Sequence, residues 1–229
     1  MFRATRIWGV PLVLLAAVGM ARADSYYMVV FGAQSMPQLP RYSHSWATFV
    51  RIPGDCGCGA PADAAPVEWF TISWMPCKIE LTPNTPFAEP GRNLDLQTSM
   101  DAVLAHCEKV MAFGPYQIDG WLYCKAKEQK EYLETGEVKY KTIDWFRNPR
   151  NTSNCIHALT SFDREHIRVR IGRLNFGQVA SYYVTESYRP HIICPHRIHC
   201  WIADLLGLNQ YPIKWWNLDD GRPNPRRDG

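Results

Sequence analysis

The chain has 229 residues, 46% of them hydrophobic, which is enough for one domain with a sizeable core. Of its 25 basic residues, 3 precede residue 24, so 25 − 3 = 22 remain beyond that point, against 22 acidic residues. Nucleic-acid-binding proteins need a basic face, and this even balance argues against that class.

The start of the chain predicts an exported protein. A basic N-terminus is followed by an apolar stretch over residues 7–20 and a small-x-small cleavage pattern at residues 21–23. This stretch is shorter than the about 20 residues that cross a bilayer, and no later stretch is long and apolar enough. We therefore expect residues 1–23 to be a cleaved signal peptide. The mature protein, residues 24–229, is then periplasmic or extracellular, with no transmembrane anchor.

Strand-like and helix-like patterns follow one another along the mature chain. Apolar or alternating stretches predict strands, and apolar residues at helical spacing predict helices. Strands are expected at 26–31, 43–51, 67–74, 138–146, 167–171 and 179–184, a turn at 114–116, and helices at 94–109, 119–135, from Cys155 onward and at 201–206. This order predicts a single α+β domain, an antiparallel sheet with helices packed on it. From about residue 190 we expect an irregular C-terminal extension whose end packs back onto the body.

Asp95 and Asp119 are the expected caps of the first two helices, and Trp69 is expected in the core. Alternation in the strand at 43–51 puts two sets of residues on opposite faces: His44, Trp46, Thr48 and Val50 on one, and Ser45, Ala47 and Phe49 on the other.

Cys155 is the first candidate for chemistry. It follows two helix-capping residues, Ser153 and Asn154, and opens an apolar run. Unpaired amide groups and the dipole at a helix N-terminus favour a thiolate. His44, early in a predicted strand, could supply the base. A cysteine and a histidine on different elements are the minimum for nucleophilic thiol catalysis.

Two short stretches resemble the circularly permuted branch of the NlpC-type papain-like superfamily, which includes the lecithin:retinol acyltransferase-like proteins. Asn154-Cys155-Ile156-His157 resembles their Asn-Cys-Glu-His motif, and Ser43-His44 resembles the start of their histidine strand. In that branch the histidine comes first, on a strand, and the cysteine comes later, at the start of a helix. The resemblance lies within about residues 26–165. It implies a permuted papain-like core that requires neither a cofactor nor a metal.

The family also has a third polar residue, on the strand after the histidine strand, which orients the imidazole. That strand contains no histidine here, and its polar candidates are Glu68, Thr71 and Ser73. A residue late in this strand faces His44 in an antiparallel pair, which favours Ser73 or Thr71, although Glu68 is the better charge partner. The predicted catalytic residues are therefore Cys155, His44 and Ser73.

The resemblance implies an exported thiol hydrolase or acyltransferase. His44 would take the proton of Cys155, and the thiolate would attack an amide or ester carbonyl whose oxyanion is held by helix N-terminal amides. The implied substrates are peptides, cell-wall peptides or lipid esters. The alternative is a non-catalytic secreted domain, stabilised by disulfides among the eight cysteines, that binds a partner.

A metal-binding protein is the third hypothesis. Residue types that bind zinc cluster near the end of the chain, at Cys194, His196, His199 and Cys200. Their spacing matches the common zinc patterns only in part, so a disulfide to the body is the simpler interpretation. Cys56 and Cys58 lie in a glycine-rich loop and are also interpreted as disulfide partners.

Overall fold

The computed structural model describes residues 23–35, 39, 42–54, 66–78, 87–143, 151–162 and 176–224. Its strands are β1 (Ser25–Ala33), β2 (His44–Ile52), β3 (Glu68–Ile72), β4 (Trp74–Pro76), β5 (Glu89–Asn93), β6 (Val110–Ile118), β7 (Lys139–Tyr140), β8 (Thr152–Ser153) and β9 (Ile213–Trp216). Its helices are α1 (Leu96–Leu104), α2 (Gly120–Glu134), α3 (Cys155–Thr160), α4 (Gln178–Ser187) and α5 (Trp201–Leu205).

The strands form two mixed sheets. The larger is five-stranded, in the order β3-β2-β1-β6-β9, and the smaller is four-stranded, in the order β4-β5-β7-β8. Neighbouring strands are antiparallel except β6 with β9 and β7 with β8, which are parallel. The α+β prediction is confirmed, but the sheets are mixed rather than antiparallel throughout. The segment after residue 190 contributes α5 and β9, so its end adds a strand to the larger sheet.

The larger sheet is buried on both sides. On β1, Tyr27, Val29 and Phe31 point to one side and pack with α1 and α5, and we call this side the α1 face. Met28 and Val30 point to the other side and pack with α2, α3 and α4, and we call it the α3 face. Because successive side chains of a strand alternate between faces, each position on β2 belongs to one of these two environments.

Helix starts are capped as the sequence predicts. Asp95, Asp119 and Asn154 precede α1, α2 and α3, and each accepts the backbone N–H three residues on at 2.8 Å. Such bonds satisfy amide groups that have no partner within the helix. Three short polar side chains therefore fix where these helices begin.

Two predicted elements are wrong. Residues 179–184 form part of α4 rather than a strand: Ser181, Val184 and Tyr188 are buried at helical spacing, and this outweighs the strand preference of the valines and tyrosines. Residues 114–116 lie inside β6 rather than in a turn, where the pairing with β1 is interrupted by a bulge.

Several other predictions are settled in part. The predicted strand 67–74 divides at Ser73 into β3 and β4, and 138–146 contributes the short β7. Residues 1–22, the strand at 167–171, and Cys56 and Cys58 lie outside the described residues. Within the described part of the chain, every helix is too short or too polar to cross a membrane.

Substitution of Gly32 tests how closely α4 packs on the α3 face of the sheet. A Cβ at this position would lie 2.7 Å from Ser181 Oγ and 2.8 Å from Gln178 Cα. Gly32→Ala must therefore displace α4, and we expect a loss of about 1–3 kcal/mol in the free energy of unfolding, measured by urea denaturation. Glu137→Ala, on an exposed residue, is the control. An unchanged midpoint for Gly32→Ala would contradict this packing.

Candidate functional site

Cys155 is the first residue of α3, as predicted, and 8% of its surface is exposed. Asn154 fixes this helix start twice, because its Oδ1 caps the helix and its Nδ2 donates to the Thr142 carbonyl at 3.3 Å. The backbone around Cys155 is therefore held from two sides. The helix start has the local geometry that the motif predicts.

His44 and Ser73 are in contact. A hydrogen bond of 2.8 Å joins His44 Nε2 to Ser73 Oγ, and both side chains are buried. The two other candidates have different partners: Thr71 Oγ1 bonds to Thr48 Oγ1 at 2.9 Å, and Glu68 lies 3.3 Å from Arg51. The antiparallel register of β2 and β3 thus brings the late residue, not the early carboxylate, to the imidazole.

His44 is enclosed in the protein interior. Its exposed fraction is 2%, and its ring stacks on Trp46 at 5.2 Å. Burial lowers the pKa of this imidazole to about 3, so it is neutral at ordinary pH. The Nδ1 atom has no hydrogen-bond partner among the described residues. A base in this position is enclosed by the protein rather than exposed to a substrate.

Cys155 and His44 belong to different faces of β2. His44 shares the α1 face with Trp46, whereas Ala158 and Leu159 of α3 pack on the α3 face. Cys155 lies one helical turn before these two residues and so shares their side of the helix. No hydrogen bond joins His44 to Cys155 in the described part of the chain. The structure brings two of the three predicted residues together and leaves the third across the strand.

Ser45, the second residue of β2, points to the α3 face. The sequence analysis did not identify it as a site residue. It is fully buried, with its Oγ 2.9 Å from Ser181 Oγ and donating to the Gly177 carbonyl at 3.3 Å. The signal in the sequence is a small residue paired with Gly32 on β1, where α4 approaches closely. A shift of one position on a strand exchanges the faces, so Ser45, and not His44, is directed to the side of the sheet on which α3 and α4 pack.

The described cysteines form neither a disulfide nor a metal-binding cluster. No disulfide joins two of the six described cysteines, and no group of three or more His, Cys, Asp or Glu residues in the described ranges is arranged to hold a metal. Cys194 and Cys200 are exposed, and His196 Nδ1 contacts Asp219 at 2.5 Å. Burial raises the pKa of Cys107 to about 11, which leaves it an inert thiol. Disulfide pairing stays a prediction.

A groove of about 450 Å³ lies away from these residues, between β3 and α2. Its aromatic walls come from Trp69, Phe70 and Tyr123, and its charged rim comes mostly from α2. Trp69 is 51% exposed, unusual for so large an apolar side chain. The sequence hypothesis placed Trp69 in the core and did not anticipate this surface.

Comparison with known proteins leaves the chain without a match: no family model, curated protein or solved structure is sufficiently similar. We therefore infer the function from the residues and their geometry. The resemblance to the permuted papain-like branch rests on the two sequence motifs and stays a prediction.

His44 makes stability depend on pH in a definite direction. Its pKa is 6.5 when unperturbed and about 3 in the folded protein, so between these values the unfolded chain binds a proton that the folded chain does not. Stability is therefore full above pH 6.5 and falls as the pH decreases toward 3. From pH 7.5 to 5.0 we expect the native protein to lose about 2 kcal/mol more than His44→Gln, measured by urea unfolding. Equal losses would show that His44 is not buried as a neutral imidazole.

Proposed function

We propose that the chain is an exported, non-catalytic binding domain. In this proposal the core is a permuted papain-like one whose histidine strand no longer presents its histidine to the cysteine helix. The observation that carries the proposal is the alternation of β2, with His44 on the α1 face and Ser45 on the α3 face beside α4.

Thiol catalysis requires a base within hydrogen-bonding distance of the sulfur. His44 has its Nε2 bonded to Ser73 and its ring against Trp46, on the side of β2 away from α3. Moving it across would shift the register of β2 by one residue and exchange every buried side chain of that strand. Both faces of this strand are packed, so such a shift would disrupt two apolar clusters.

Ser45 does not replace the missing base. A serine hydroxyl is not basic near neutral pH, and this one is fully buried against Ser181. The pair closes the gap between β2 and α4, where a catalytic site would need space for a substrate. The structural role of Ser45 therefore fits a domain that has kept the fold of an enzyme and lost its chemistry.

One observation favours the thiol hydrolase or acyltransferase as the second candidate. His44 Nδ1 is buried without a partner in the described part of the chain, and such a group costs about 1–3 kcal/mol. An unpaired nitrogen on an imidazole oriented by Ser73 is what a thiol enzyme would reserve for its sulfur. In that function Cys155 is the nucleophile, His44 the base and Ser73 the orienting residue, and the substrate is an amide or ester.

Iodoacetamide labelling of the native protein between pH 5 and 9 separates the two candidates. We expect Cys155 to label more slowly than the exposed Cys124 at every pH, since it is largely buried, and the rate to be the same in His44→Gln. The modified cysteine is located by peptide mass spectrometry. Cys124 is an internal reference in the same molecule. Rapid labelling of Cys155 below pH 7 that is lost in His44→Gln would overturn the proposal and establish the enzyme.

A further inference from the structure

β3 is the outermost strand of the larger sheet, with β2 as its one neighbour there. Phe70 lies opposite Phe49 and belongs to the core of the α3 face, while Trp69 lies opposite Val50 and points to the α1 face. In an antiparallel pair, alternate residues direct both backbone polar groups toward the neighbouring strand or away from it. Half of the backbone groups of β3 therefore face outward.

Asn93 identifies which residues face outward. Its Nδ2 donates to the Thr71 carbonyl at 2.8 Å, and its Oδ1 accepts the Ser73 N–H at 2.7 Å. One side-chain amide thus supplies the acceptor and donor that an added strand would supply at these positions. By the same alternation, the N–H and carbonyl of Trp69 also face outward, and they have no partner among the described residues. The edge is closed at one end and open at the other.

The groove runs along this open end. Its wall is aromatic because Phe70 and Tyr123 pack edge to face at 5.3 Å on the α3 face. Trp69 also lines the groove, although its side chain points to the α1 face, where it is 51% exposed. An open strand edge next to a helix can accept an extended peptide, whose backbone bonds to the strand while alternate side chains enter the groove. The polar backbone and the apolar wall of this groove both match such an occupant.

The charges along α2 restrict the occupant further. Glu68 is paired with Arg51 and Lys130 with Glu134, which leaves Lys127 and Glu131 as the groove charges with no ion pair among the described residues. They are four residues apart on a helix, about 6 Å along its axis. Alternate residues of a strand are about 6.6 Å apart. An acidic and a basic side chain at alternate positions of an extended peptide therefore have nearly the same spacing as the two helix charges.

We propose that β3 binds an extended peptide as an additional strand, with a basic residue facing Glu131, an acidic residue facing Lys127 and an apolar residue between them beside Trp69. This inference rests on the proposed binding function and gives its partner a chemical class. The peptide direction decides whether the acidic residue precedes or follows the apolar one.

Three end-capped fluorescent heptapeptides, with Glu-Leu-Lys, Lys-Leu-Glu or Gln-Leu-Gln at their centre, test the inference by fluorescence anisotropy with the full chain. We expect one charged peptide to bind about tenfold more tightly than the neutral one, from two partly exposed ion pairs. The double variant Lys127→Glu with Glu131→Lys keeps the net charge and should transfer this preference to the other charged peptide. Absence of binding, or an unchanged preference in the double variant, overturns the inference.

Trp69→Pro and Trp69→Ala separate backbone pairing from contact with the ring. Both remove the indole, but proline also removes the outward N–H, and it leaves the bonds to β2 in place because that N–H faces away from β2. We expect the peptide to bind Trp69→Ala weakly and Trp69→Pro not at all, with the same circular dichroism spectrum for both. Equal affinities would mean that no strand is added. Peptide binding and Cys155 labelling are separate measurements, so a failed peptide test leaves the labelling result, and with it the proposed function, unaffected.

Discussion

Close packing on both faces of β2 is the constraint on which the rest of this structure depends. A strand with one exposed face can change its register at moderate cost, but each position of β2 is fitted to a different buried layer. On one side Trp46 stacks between His44 and Phe31, and on the other Ser45 bonds to Ser181 where Gly32 lets α4 approach. The identity of each side chain is therefore tied to its face.

This constraint explains why Cys155 and His44, the residue types of a thiol nucleophile and its base, can both be present without contact between their side chains. Cys155 is placed by Asn154, which caps the helix locally and bonds to the Thr142 carbonyl, and neither interaction involves β2. His44 is placed by the sheet, which turns it toward Ser73 and away from α3. The two placements are independent, so correct local structure around each residue does not bring their side chains together. A helix start or a strand position predicts the local environment of one residue, whereas a catalytic pair requires two side chains to lie within hydrogen-bonding distance of each other.

The sequence predicted what depends on local chemistry. The capping residues marked the starts of α1, α2 and α3, and the register of two antiparallel strands indicated that Ser73 could reach His44. Alternation divided β2 correctly into two sets, but it carries no information about which helix covers which set. Valine and tyrosine in α4 resembled a strand until tertiary packing was known. The groove was missed because an aromatic residue in a strand is usually interior, and Trp69 lies on an edge that the sequence does not identify.

The outer edge of β3 differs along its length in whether its backbone groups have hydrogen-bond partners among the described residues. An unpaired edge is a liability, since it offers hydrogen bonds to any extended chain, and proteins normally cover, charge or shorten it. Here the side-chain amide of Asn93 bonds to the outward backbone groups of Thr71 and Ser73, and Ser73 in turn contacts the enclosed His44. The edge beside Trp69 has charged residues around it but no such cover within the described residues. A protein that protects one half of a short edge with a dedicated side chain, and lines the other half with an aromatic groove, treats the two halves differently. That difference is the physical reason to regard the open half as a surface for recognition rather than as an unfinished end of the sheet.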